Sequence, residues 1–221
     1  MALPESLGTH VMRRRARFTS VAALACATFL LAPDFAAQAA PPRPATGSQI
    51  AAARGQLAKL RVAAPLPEAG YDRDKFPHWD STSGGCDTRD DILKRDAIRI
   101  RRGPDCTIRS GSWRDPYSGR TTRDWHTLDI DHIVPLANAW RSGARRWTRR
   151  RREAYANDTG VLLAVSAHLN RQKGDDAPQE WLPPRAAFRV TYAVDWIGIK
   201  AHYRLSITRA EQATLRRLLA R

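Results

Sequence analysis

Two stretches decide how this chain folds: Asp129-Ile130-Asp131-His132-Ile133-Val134-Pro135 and Asn170-Arg171-Gln172-Lys173-Gly174-Asp175. Leu128 to Val134 reads as a short strand that Pro135 ends, since proline has no amide hydrogen for a ladder. Val161 to Val165 is an apolar run of strand length, which predicts a buried strand. Ser166 can cap a helix that passes through Asn170 and Lys173 and stops at Gly174. Between the strands, Leu136 to Trp140 looks like a helix opening and Trp147 to Ala156 like an arginine-rich helix, with a turn at Asn157-Asp158-Thr159-Gly160. The order is strand, connection, strand, helix. Asp131 and His132 fall at the end of the first strand, and Asn170 and Lys173, three apart, share one helical face.

Through its Asp-His-Ile-Val-Pro strand and its Asn-x-x-Lys helix the chain resembles the HNH endonucleases of the ββα-metal superfamily. It is most similar to the secreted bacterial HNH proteins of the GmrSD restriction endonuclease C-terminal domain type. The tight motif spans residues 129–176. A wider pattern runs from Tyr71 to about Tyr203 and includes Gly85-Cys86-Asp87-Thr88-Arg89, Tyr155-Ala156-Asn157-Asp158 and Glu180-Trp181-Leu182-Pro183. The resemblance implies an α+β fold, a ββα-metal (HNH) core with a small antiparallel sheet surrounded by helices. It also implies that Asn157 orients the histidine and steadies the turn between the strands.

Cleaving a phosphodiester needs a deprotonated water and a counter-charge for the leaving oxygen. A neutral imidazole suits the first task at neutral pH, and His132 is the candidate. A hard divalent cation with oxygen ligands suits the second, and Asp131 and Asn170 are the candidate metal ligands. An asparagine at the third position favours Mg²⁺ or Mn²⁺ over softer Zn²⁺. Lys173 is expected to reach a phosphate as a point charge. Arg145, Arg146, Arg149 and Arg150, within a run that continues to Arg152, are expected to grip the nucleic-acid backbone without reading its sequence. Asp129 lies two residues from Asp131 on the same strand face and has two readings, a further metal ligand and, the favoured one, a structural salt bridge with arginine. His168 reads as a surface residue.

Working outward, Asp87 can cap a helix running through Ile98, and Gly103-Pro104 stops it. Thr107 to Trp113 and Gly119 to Trp125 flank the turn Asp115-Pro116-Tyr117-Ser118-Gly119, which predicts a hairpin. Phe188 to Tyr203 has helical apolar spacing, and Thr208 to Glu211 is a capping box for a last helix. Residues 40–69 are rich in Ala, Pro and Arg, with Gln49 to Val62 able to form a basic amphipathic helix before Pro65 and Pro67 end it, and read as a linker or loosely attached arm, leaving 70–221 as the nuclease domain.

The amino terminus carries Arg13, Arg14, Arg15 and Arg17, then an apolar run from Val21 to Ala32, then Ala37-Gln38-Ala39. That is the order of a secretory signal peptide over residues 1–39, removed near Ala39 or Ala40, and the run is too short for a stable membrane anchor. Cys86 and Cys106 remain, an even number in an exported chain, and are expected to pair. The chain has 37 Lys and Arg against 22 Asp and Glu, a charge of +15 and a pI near 10.9. Removing residues 1–39 takes away four arginines, one aspartate and one glutamate and leaves +13. At 27% charged residues and a mean hydropathy of −0.51, a multi-span membrane protein is excluded and a polyanionic partner favoured. The expectation is a secreted, metal-dependent endonuclease acting on DNA, with RNA a further substrate class, at low sequence specificity. Two rival readings stand beside it: a catalytically inactive basic nucleic-acid or cell-wall binding protein, and a nuclease toxin or effector.

Overall fold

A computed structural model describes residues 44–220. The expected signal peptide, with its expected cleavage point, falls outside the described residues. Helix α1 (Gly47–Lys59) is capped by Thr46, whose hydroxyl and backbone exchange bonds with Gln49. After it come α2 (Thr88–Asp96), strands β1 (Ala97–Arg102), β2 (Ile108–Arg114), β3 (Thr121–Thr122) and β4 (Leu128–His132), then α3 (Leu136–Arg141) and α4 (Arg149–Asn157). Strand β5 (Leu162–Ser166), α5 (Ala167–Lys173), α6 (Arg189–His202) and α7 (Arg209–Leu219) complete the order. The architecture is α+β: a three-stranded antiparallel sheet, β1-β2-β3, a separate antiparallel pair, β4-β5, and helices around them.

Strand β4 pairs with β5 so that Asp131 faces Leu163 and His132 faces Leu162, and α5 follows at once, its Ser166 cap receiving the Leu169 amide. Gly174 ends α5 with a φ of 52°, a left-handed conformation that glycine adopts without a steric penalty. The ββα unit read from the two motif stretches is therefore present. It rests on a core that includes Phe76, Trp113, Tyr117, Tyr155, Tyr192 and Trp196, all buried.

Three expectations need correction. The helix opened by Asp87 stops at Asp96 rather than running through Ile98. Ile98 and Ile100 sit among arginines in a strand that pairs with β2, and long-range pairing overrides the helical reading. The Asp96 carboxylate seals the helix end onto the second sheet by accepting the Ala164 amide at 2.8 Å. Second, the segment expected to be a loose arm is packed from residue 45 onward. Ala53 and Leu57, four apart on one face of α1, are buried against the core, the Ala45 amide donates to Thr191 Oγ1, and Val62 bridges Ile207.

The hairpin is shorter than expected: its second strand, read over Gly119 to Trp125, is confined to Thr121–Thr122, and Trp125 opens a short 3-10 turn. Thr208 and Glu211 form the capping box of α7, and β2 and β3 flank the turn at Asp115–Gly119. Cys86 and Cys106 form a disulfide, twenty residues apart, that ties the loop before α2 to the start of β2.

Candidate active site

His132 ends β4 with its side chain buried between the sheet pair and α4. Its Nε2 lies 3.0 Å from the carbonyl of Ala156, near the end of α4. A carbonyl only accepts, so Nε2 carries the proton and Nδ1 carries the lone pair. The ring is flanked by Trp79 and Tyr155 at centroid distances of 6.3 and 6.2 Å, Tyr155 stacked at 19° to it and Trp79 tilted by 31°. Burial, with the positive charges of Arg73, His78 and Lys173 in support, lowers the His132 pKa to about 3, although the Ala156 carbonyl works the other way. The imidazole is therefore neutral at physiological pH, and the burial that keeps it neutral also makes it a weaker proton acceptor than an exposed histidine.

Asp131 is buried, and both of its carboxylate oxygens accept hydrogen bonds. Lys173 Nζ donates to both oxygens at 2.7 Å, and the Tyr117 hydroxyl donates to Oδ2 at 2.5 Å. The third ammonium hydrogen goes to the His132 carbonyl at 2.9 Å. Burial pushes the Asp131 carboxyl up and the Lys173 ammonium down, and each partner holds the other against that shift. Lys173 was expected at a phosphate. It does share a helical face with Asn170, but that face turns inward, so its charge is spent on Asp131.

Asn170 is half-buried and donates through Nδ2 to Asp129 Oδ2 at 3.2 Å. Arg171 stands 3.7 Å from the same oxygen, which supplies the arginine salt bridge expected for Asp129. His168 is exposed, as read from the sequence. The oxygen donors suit a hard divalent cation: Asp129 and Asp131 project from one strand face, Asn170 is within bonding reach of Asp129, and Asp131 Oδ1 accepts one bond where a carboxylate oxygen can accept two. Among the described residues no group of three His, Cys, Asp or Glu side chains is placed to hold a metal, and Asn170 turns its amide nitrogen rather than its oxygen toward Asp129. The Lys173 ammonium weakens the pull of Asp131 on a cation and leaves Asp129 as the stronger anionic donor.

Asn157 does not touch His132. Its Oδ1 accepts from the Asp80 amide at 2.9 Å and Thr88 Oγ1 at 3.0 Å, and its Nδ2 donates to the carbonyls of Pro77 and Glu153, both at 3.0 Å. It therefore clamps the loop that carries Trp79, while its neighbour Ala156 holds the histidine. Trp79 has a φ of 63°, an unfavourable left-handed conformation for a bulky residue, which persists only where neighbouring bonds hold it. Asn157→Ala removes all four bonds and is expected to lower stability by about 2–3 kcal/mol and to free the Trp79 loop. Urea denaturation, with acrylamide quenching of tryptophan fluorescence, checks this; an unchanged midpoint and unchanged quenching would refute the clamp.

Arg145, Arg146, Arg149 and Arg150 are exposed. Arg149 and Arg150 sit in the first turn of α4, about 10 Å along its axis from the Ala156 end that meets His132. Arg145 donates to the Pro67 carbonyl, and Arg149 stands 3.9 Å from Glu153. Sequence reasoning missed Trp79 and Tyr117. The Asp115-to-Gly119 turn was visible as a turn, but nothing local says that its tyrosine reaches Asp131.

The motif residues therefore sit on a ββα unit, with His132 packed against α4 and Asp129, Asp131 and Asn170 gathered between β4 and α5. Residues 87–218 match the family described as GmrSD restriction endonucleases, C-terminal domain, and the chain belongs to that family. A curated relative from Arthroderma benhamiae, named "Uncharacterized secreted protein", is 40% identical over 205 residues, covering 92% of this chain and 98% of the relative. No solved structure matches the chain.

Proposed function

We propose that this protein is an exported endonuclease that hydrolyses phosphodiester bonds in DNA, with low sequence specificity, using Mg²⁺ or Mn²⁺. The observation that carries the reading is the His132 hydrogen bond to the Ala156 carbonyl, which leaves Nδ1 as the basic nitrogen of a buried, neutral imidazole. Family membership supports the nuclease class, and the secreted name of the relative supports export together with the amino-terminal pattern. His132 takes a proton from the attacking water at Nδ1, and the Ala156 carbonyl stabilises the imidazolium that forms through Nε2–H. Asp129, Asp131 and Asn170 would hold the cation. Bound there, the ion polarises the phosphate and offsets charge on the leaving oxygen. Tyr117 and Lys173 fix the Asp131 carboxylate in place, and the Asn157 clamp keeps Trp79 beside the base.

The Lys173–Asp131 pair favours one second reading, a basic nucleic-acid binding protein without turnover, because it neutralises a candidate metal ligand. Nicking of supercoiled plasmid separates the two. Open circles are expected with Mg²⁺ or Mn²⁺ and none with EDTA; intact plasmid across a full metal series would sink the nuclease reading.

A further inference from the structure

We propose that the outer face of the β1-β2-β3 sheet binds the phosphate backbone of duplex DNA and extends the active site as a track. The idea rests on the nuclease reading for its purpose, though its binding can be tested without turnover.

Residues opposed in an antiparallel ladder share a face. Arg99 opposes Ser112, Arg101 opposes Ser110 and Arg114 opposes Thr121. Period-two alternation along β2 puts Ser110, Ser112 and Arg114 on one side and Trp113 on the other. Trp113 is buried, with its indole donating to the Leu93 carbonyl, so the inner side is settled and the six-residue group faces outward. Arg99, Arg101 and Arg114 are all exposed, and among the described residues no ion pair joins any of them to an acidic side chain. Three guanidinium groups among three hydroxyls, with no carboxylate on the face, match a phosphate backbone: arginine forks donate in pairs to phosphate oxygens, and Ser and Thr hydroxyls donate singly.

Four arginines of the run Arg145 to Arg152 are differently employed, whereas of the three sheet arginines only Arg114 makes such a bond, from Nε to the Gly119 carbonyl at 3.2 Å. Arg151 and Arg152 donate to the carbonyls of Tyr203 and Lys75, Arg145 donates to that of Pro67, and Arg149 faces Glu153. The sheet arginines are also better connected to the chemistry. At one end of β2 the disulfide joins Cys106 to Cys86, in the loop that follows Trp79; at the other, the turn after Arg114 delivers Tyr117 to Asp131. Arg114 lies three residues from Tyr117, within about 10 Å along an extended chain. A simpler account holds that arginines on an edge strand only prevent sheet-to-sheet aggregation. It covers Arg99 and Arg101 on β1 but not Arg114, which lies on the central strand.

The test uses the full mature chain carrying His132→Ala, in EDTA, with a fluorescein-labelled duplex read by anisotropy over a range of salt. Each lost phosphate contact reduces the slope of log K against log salt by about 0.9. Adding Arg99→Gln, Arg101→Gln and Arg114→Gln is expected to flatten the slope by about 2–3 and weaken binding at least ten-fold at moderate salt. Arg146→Gln with Arg150→Gln should change it less. Unchanged affinity and slope in the triple variant, or a loss of solubility alone, overturns the proposal. Plasmid nicking by the unmutated chain is scored separately. Sheet-dependent binding with no nicking would refute the nuclease reading and uphold this one, whereas nicking with sheet-independent binding would do the reverse.

Discussion

Plasmid nicking by His132→Ala is expected to fall by about 10²–10⁴-fold, the usual contribution of a general base, while duplex binding survives and added Mg²⁺ restores nothing. The reason is positional: Nδ1 of a neutral ring held by the Ala156 carbonyl is the group offered as proton acceptor. A nicking rate equal to that of the unmutated chain would discard this mechanism even in an active nuclease. The same variant has a second readout in stability. Because the folded pKa is lowered to about 3, the unfolded chain binds a proton between that value and its ordinary 6.5 and the folded chain does not. Stability is therefore fully present above about pH 6.5 and declines as pH falls toward 3, by at most about 1.4 kcal/mol per unit. Asp195, whose carboxyl burial raises to about 7 against the pull of Arg95, has the opposite sign, since its folded form keeps a proton that the unfolded form has released. The measurement is thus the difference between the unmutated chain and His132→Ala in EDTA from pH 4 to 8. That difference should shrink as the pH falls. A constant difference would mean that His132 is not buried as a neutral ring.

The second large effect is expected at Lys173. Lys173→Met leaves the Asp131 carboxylate buried without its cation and should cost about 3–5 kcal/mol in urea denaturation. Asp131→Asn combined with Lys173→Met removes both charges and should recover a good part of that loss, because the two side chains act as one unit. The Tyr117 hydroxyl retains an acceptor in the amide oxygen of the double variant, which helps the recovery. Activity should not return with stability, since the carboxylate is gone. Equal midpoints for Lys173→Met and the unmutated chain would show that the ammonium is not paired in the core, and would reopen a phosphate-binding role for it.

Much of the fold was legible because it rests on local rules. A wholly apolar run, a serine cap, a glycine stop and a proline strand end mark the ββα unit within one stretch of chain, and Thr208 with Glu211 marks the last helix. The chemistry of His132, Asp131 and Asn170 is likewise carried by residue type and order. By contrast, β1 was hidden because Ala97 to Arg102 has no strong local preference and becomes a strand only when β2 lies beside it. Helix α1 looked like a loose arm because two apolar residues, Ala53 and Leu57, are a weak signal until α6 and α7 offer a surface to bury them.

What the sequence determined by itself is the ββα order, the set of candidate groups that it carries and the charge that favours a polyanion. Only the tertiary structure decided how each group is employed. Lys173 and Asn157 both carry strong hydrogen-bonding groups whose targets are distant in sequence: Lys173 turns inward to Asp131, and Asn157 reaches back to the loop bearing Trp79. Tyr117 reaches the site from a different sheet. These pairings join residues fourteen to eighty positions apart, and burial enforces them, because a polar group removed from water must find a partner wherever the packing places one.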